Sequence, residues 1–321
     1  MPSSRGDLER RDRLGGAIAD ALADSWRGPL RAAARPRVLY HYTTTAGLLG
    51  IVQSREIWAT SARFLNDREE INYSVQVILS VLEERREREK TAELENLLFA
   101  LLKTLHLFYG PMLPYVTCFC RRGDLLSQWR GYSRGSGGVS IGFSVKDLVA
   151  LRGRTVPIFT LVKVLYKPPD QAAAVGSLID HVTSACRRIV ETEGPTAWEH
   201  IRRTAIRYAS AELALFAGGL KHPSFAEEQE WRLVALPGGS GKGMPRFRES
   251  AGVLVPYVGL AFDGGEVDVA EKQRPLPIRE VICGPSADPV WNRESIALLL
   301  KAEDIRDVDV EISSAPLRMS S

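Results

Sequence analysis

Two glutamates one residue apart, Glu228 and Glu230, stand just before a tryptophan and an arginine in the stretch FAEEQEWRLV, residues 225–234. Read as a strand, the stretch alternates, with Glu228, Glu230 and Arg232 on one face and Gln229, Trp231 and Leu233 on the other. Two carboxylates stacked on one strand face repel unless something uses them. Such a pair can divide its labour: one carboxylate stabilises a developing cation while the other orients or deprotonates a nucleophile. Coupling between them would raise one pKa relative to the other. Polar residues at other strand ends join them as candidates: His41 with Tyr42, Ser61, Asn66 with Asp67, and Trp129 with Arg130 and Tyr132. Each has an ordinary structural duty as well. His41 suits a satisfied core or edge histidine, Trp58, Trp129 and Trp231 suit core anchors, and Asn66-Asp67 suits a helix cap. The glutamates could simply pair with Arg232 or Arg130.

Other chemistries find less in the chain. It has no P-loop, GxGxxG, HExxH or GxSxG pattern. GGSGKG (238–243) lacks the Lys-Ser/Thr ending of a phosphate loop and the helix behind it, and reads as a flexible glycine loop. A metal could draw on His41, Asp67, Glu228 and Glu230, but these are single ligands scattered along the chain, so no metal is expected. The four cysteines, Cys118, Cys120, Cys186 and Cys283, show no zinc-ligand spacing. With no signal-peptide core, they suggest a reduced, cytoplasmic protein.

Charge and composition narrow the class. Apolar content of 45% and charged content of 25% are globular values, and 321 residues can bury a sizeable core. Net charge is +3, and residues 1–37, with eight arginines against five acids, account for all of it. A small basic arm of that kind reads as a solvated helix rather than a nucleic-acid face. No apolar run approaches 18 residues, so no membrane span is expected.

The elements that must position the candidates follow from periodicity. An alanine-rich amphipathic helix over 7–34 ends at Pro36. A strand at 38–42 precedes a Thr43-Thr44-Thr45 cap and a short helix, and EIWATS (56–61) is a second strand. Asn66 or Asp67 then caps a long helix with Ile71, Val75, Ile78, Leu79 and Leu82 at helical spacing. A charged break at 83–91 leads to another apolar helix. Strands at 114–122 and 137–144 bracket LLSQWRGYSRGSGG, and a third at 159–167 ends on Pro168-Pro169. Two helices follow, about 172–192 and 196–217. QEWRLVAL, GVLVPYV and IREVICG are strands, and a helix near 290–301 with a closing strand VDVEIS completes a βαβ-like unit. The expectation is an α+β fold: a helical extension over 1–36 and one domain over 37–321.

Taken together, LYHYTTTAGLLGIVQSREIWATSARFLNDREE, TCFCRRGDLLSQWRGYSRGSGGVSIGF, EEQEWRLV and IREVICGP resemble, in order, the segments of the bacterial domain of unknown function 2971 family, over about residues 38–312. More distantly, the same residues resemble the ADP-ribosyltransferase superfold. That resemblance implies a split β-sandwich with inserted helices, with NAD as substrate. It implies His41 on the ribose, Trp58 or Ser61 stacking on nicotinamide, Glu230 as catalytic carboxylate and Glu228 on the nucleophile, with Tyr42, Asn66 and Arg130 around the cofactor. The activity it implies is ADP-ribosyl transfer to a protein or nucleic-acid acceptor, or NAD hydrolysis, in bacterial phage defence as a toxin or effector. Two alternatives stand beside it: a non-catalytic nucleotide sensor on the same fold, and a metal-dependent nuclease. A homo-oligomer or a defence-system partner fits any of these.

Overall fold

A computed structural model describes residues 13–16, 35–65, 69–105, 113–132, 137–150, 159–237, 244–250, 252–262, 276–286 and 288–316 of the chain. The chain divides into two compact units, one drawn from Met1–Ala32, Ala62–Pro114 and Lys163–Ser224, the other from the remaining residues. Each unit is assembled from separate stretches, so no linker or composition shift marks a boundary between them.

The first unit is helical. Helix α2 (Glu70–Arg88) buries Ile71, Val75, Ile78 and Leu82, and α3 (Ala92–Thr104) buries Leu94, Leu97, Leu98 and Leu101. The longest helices are α6 (Pro168–Glu193) and α7 (Trp198–Ala217). Pro168 and Pro169 open α6 rather than only ending a strand, because a proline in the first turn sacrifices no helical hydrogen bond. The charged stretch expected to break a helix at 83 stays helical to Arg88, since Arg85 reaches Asp180 of α6 through two hydrogen bonds. Of the arginine-rich N-terminal segment only residues 13–16 are described. There Leu14 is buried and Arg13 pairs with Glu193 at 3.0 Å.

The second unit carries the sheet. Its strands are β1 (Val38–Thr43), β2 (Glu56–Ser61), β3 (Tyr115–Cys120), β4 (Val139–Ser144), β5 (Phe159–Lys163), β6 (Glu230–Ala235), β7 (Arg246–Ser250), β8 (Val253–Ala261), β9 (Ile278–Cys283) and β10 (Asp309–Ile312). Ten strands form one mixed sheet in the order β10-β9-β4-β1-β3-β2-β8-β7, with β6 paired to both β3 and β5. The fold class is α+β. Between β1 and β2, helix α1 (Thr45–Ser54) starts where the Thr44 hydroxyl accepts from Gly47 N at 3.1 Å. At the other end β9, α8 (Pro289–Ala302) and β10 make the expected βαβ unit, with β10 parallel to β9.

Two short elements were not legible. LSQWRGY forms helix α4 (Leu126–Tyr132) between β3 and β4, and Val145–Ala150 forms helix α5 after β4. Strand β7, RFRES, is also unforeseen: as an edge strand it leaves both faces largely open, so no alternation marks it.

Candidate functional site

The sheet divides around one strand. Strand β6 pairs with every residue of β3, from Tyr115 opposite Ala235 to Cys120 opposite Glu230. The other edge of β3 is therefore shared. β1 takes only its end, Tyr40 opposite Cys120, and β2 takes its start, Thr60 and Ser61 opposite Val116 and Tyr115. Between them, at Cys118, both strands leave β3 and the sheet opens.

Side chains close the hydrogen bonds that the ladder loses there. His41 Nδ1 lies 2.9 Å from the Cys118 carbonyl. A carbonyl only accepts, so Nδ1 carries the proton and Nε2 is left as an acceptor. On the β2 side the Thr117 hydroxyl donates to the Trp58 carbonyl at 3.0 Å. Burial lowers the His41 pKa below its ordinary 6.5, against a smaller opposing effect of the Cys118 carbonyl. The sign for stability follows. Folded His41 stays neutral while the unfolded chain takes up a proton near 6.5, so its contribution is full above that pH and is lost as pH falls below it. Melts between pH 7.5 and 5 should show that loss in the wild type and a flatter slope in His41→Asn, whose amide keeps the donor. Equal slopes would contradict the assignment.

Alternation sorts the candidates into two groups. Residues paired directly across antiparallel strands share a face, so Trp58, Thr60, Val116, Cys118, Arg232, Cys120, Glu230 and Tyr40 lie on one face. His41, Ser61, Phe119 and Trp231 lie on the other, where the His41 and Phe119 rings stand 5.8 Å apart. Trp58 and Glu230 thus share a face, and His41 and Ser61 do not join them.

The glutamate pair is built differently from the sequence pattern. β6 begins at Glu230, and Glu228 lies in the preceding three-ten turn, Pro223–Glu228. Gln229 between them has φ of 44°, a left-handed conformation unusual for glutamine, and it turns the chain so that the carboxylates do not stack on one strand. Glu230 is buried and both its oxygens are held by Arg232, Nε at 3.0 Å and an Nη at 2.8 Å. Glu228 is half-buried, and its carbonyl accepts from the Cys120 thiol at 3.1 Å. Burial raises the Cys120 pKa and the Glu230 and Glu228 charges add to it, outweighing the bond from Arg122 N, so the thiol stays a protonated donor.

Tyr42 is part of the scaffold. Its hydroxyl donates to the Arg122 carbonyl at 2.8 Å and accepts from Leu125 N at 2.9 Å, and its ring meets Trp129 edge-on at 4.8 Å. Trp129 is fully buried and donates through Nε1 to Asp124 at 2.6 Å. Asp124 also accepts from the Ser313 hydroxyl and from Ser314, tying the end of β10 to the loop after β3. Burial works against the Asp124 carboxylate, but the bonds from Ser313, Trp129 and Ser314 outweigh it and hold its pKa below the ordinary range. Asp124 was missed in the sequence, where GDLL reads as an unremarkable turn. Arg130 is exposed on α4. Asn66 and Asp67 lie outside the described residues. Among the described residues no three His, Cys, Asp or Glu side chains gather as a metal site.

The accessible chemistry is aromatic. Trp58 is 39% exposed, and its ring stacks on Tyr257 at 4.4 Å and 30°. Arg246 lies over the same tyrosine, 5.0 Å from the ring centre, and pairs with Glu56 on β2. Gly259 opposite Trp58 makes room for that pair, because a Cβ there would collide with the guanidinium and the carboxylate.

Residues 128–233, about a third of the chain from α4 to β6, match the family described as Protein of unknown function (DUF2971). Over those residues the chain is similar to that family. No curated protein and no solved structure matches the chain. The matched segment contains Trp129, Glu228, Glu230 and Arg232, while β1, β2 and β9 lie outside it. Its Trp129 nevertheless packs on residues of those strands: Tyr42 and Ile282 share its cluster, and Gly284 lies so close that a Cβ would come within 2.8 Å of the indole.

Proposed function

We propose that the chain is a non-catalytic module that binds a nucleotide-type small molecule, NAD among the candidates, on the sheet face that carries Trp58. The observation that supports this reading is the half-open Trp58 ring, braced by Tyr257 beside the opening between β1 and β2. A planar base stacks well on such a ring, and a braced ring loses little freedom in doing so. Glu230 argues against turnover by the expected route. A carboxylate already neutralised at both oxygens has no free charge to place beside a developing oxocarbenium ion.

NAD binding by calorimetry tests this. Trp58→Ala should lose the roughly 1–3 kcal/mol that base stacking on an aromatic contributes, with little change in melting because the ring is exposed. Failure of the wild type to bind NAD or a nucleoside diphosphate overturns the proposal.

One observation favours the enzyme reading, ADP-ribosyl transfer or NAD hydrolysis. The left-handed Gln229 is the kind of strained backbone that collects at working sites, and it leaves Glu228 half-buried in the turn before β6. Glu228 would then be the carboxylate to test. Nicotinamide release by the wild type that disappears in Glu228→Gln, with melting unchanged, would replace the sensor reading with this one. No release from the wild type leaves the sensor reading standing.

A further inference from the structure

A cavity of about 750 Å³ lies at the outer end of the β1-β4-β9 strands, lined by Arg35, Arg37, Lys146 and Arg279 around Val145 and Val149. Four cations line a space of ordinary small-ligand size, and Asp147 beside it holds Arg279 at 2.8 Å. Like charges gathered around one opening repel, and an anion between them removes that cost. The floor is aliphatic, with Pro36, Val38, Val145 and Val149.

The backbone that presents these cations is fixed. Val145 N donates to the Arg37 carbonyl at 3.0 Å, and Ser144 N donates to the Pro277 carbonyl at 2.7 Å. Asp147 N donates to the Ser144 hydroxyl at 3.3 Å. Pro36 between Arg35 and Arg37 restricts the arginine before it to extended conformations. The decisive feature is a break in register. Gly142 pairs with Glu280 and Phe143 with Ile278, so Arg279 is an extra residue on β9 with no partner on β4. A bulge of this kind re-aims the side chain it carries. Here it takes Arg279 out of the strand's alternation and brings it to the α5 end of the sheet, beside Asp147 and the Lys146 that precedes it.

We propose that this cavity is an anion site for an organic phosphate carrying two or more negative charges, with Arg35, Arg37, Lys146 and Arg279 on the phosphates and the valine floor under the body of the molecule. It is separate from the Trp58 face and does not depend on that reading. Arginine forks and a lysine suit a diphosphate better than a single carboxylate, because several charge-assisted hydrogen bonds can form at once.

The probes are inorganic pyrophosphate, a nucleoside diphosphate and a single-stranded oligonucleotide, titrated by calorimetry into the full chain at fixed salt. Pyrophosphate and the nucleoside diphosphate should bind the wild type, and Arg37→Ala, Lys146→Ala and Arg279→Ala should each weaken both by roughly tenfold. Arg279→Lys, which keeps the charge but loses the fork, should fall between. Arg306→Ala removes an exposed arginine elsewhere and should bind as the wild type does. All these side chains are exposed, so the melts should coincide. Weakening in Arg306→Ala equal to that in Arg37→Ala would reduce the effect to net charge and overturn the site. So would oligonucleotide binding without pyrophosphate binding, or no binding of either phosphate.

Discussion

Arg232→Met is expected to destabilise the protein by about 3–5 kcal/mol at neutral pH, the cost of leaving one member of a buried ion pair uncompensated. Arg232 is only 1% exposed and Glu230 6%, so neither charge can turn to water when its partner is removed. Glu230→Gln should cost a comparable amount, because it takes from the buried guanidinium the charge that meets its Nε and an Nη. The two variants should differ in their response to acid. Without Arg232, a Glu230 carboxyl that takes up a proton no longer needs a cation. The deficit of Arg232→Met should therefore shrink as pH falls toward 5, whereas that of Glu230→Gln should not, since arginine keeps its proton throughout. The double variant Glu230→Leu with Arg232→Met should recover most of the loss, as two apolar groups of similar size replace two desolvated charges. Urea unfolding of the wild type and the three variants at pH 7 and pH 5 measures these differences. Single variants that melt like the wild type would show that the pair is not structural and would return Glu230 to the list of carboxylates free for chemistry.

The sequence made the central strands legible and the geometry at their ends illegible. β1, β2 and β9 alternate in the ordinary way, and Thr44 caps α1 because a threonine ahead of an apolar run can accept from the first-turn amides. The Glu-x-Glu reading failed on one torsion angle. Gln229 adopts φ of 44°, and a left-handed backbone is expected of glycine or asparagine, so nothing in EEQEW announced a turn between the acids. The missing alternation at Arg279 is similar, because a bulge depends on the facing strand as much as on its own residues. His41 and Trp58 stand on strands, as the sequence pattern predicts. Their separation onto opposite faces depends on the register of two strands against a third, β3, and one sequence cannot supply that register. Asp124 was hidden for a different reason. Its partners Ser313 and Ser314 lie some 190 residues away, and a GD dipeptide alone only suggests a turn.

Trp129→Ala should lose about 3–5 kcal/mol, in the range of large-to-small changes at fully buried aromatics. More than the area of the indole is at stake. The ring is wedged between Tyr42 of β1 and Gly284 after β9, and its Nε1 proton is one of the donors that hold Asp124 ionised below the sheet's end. Removing it opens a cavity beside Tyr42 and takes one donor from a partly buried carboxylate that also binds Ser313 and Ser314. Trp129→Phe separates the two effects. It keeps most of the packing and removes only the charge-assisted hydrogen bond, for which about 1.5–3 kcal/mol is expected. Asp124→Asn should cost a similar amount. Combined with Trp129→Phe it should add little, because both changes delete the same interaction. The acid limb of the stability curve gives an independent check. A carboxylate with a lowered pKa contributes above its unfolded value and loses that contribution as pH falls through its folded one. That limb should flatten in Asp124→Asn. If Trp129→Ala melts normally but no longer binds the nucleotide ligand, the indole belongs to a binding surface and the cluster around Tyr42 is not what holds β1, β3 and β9 together.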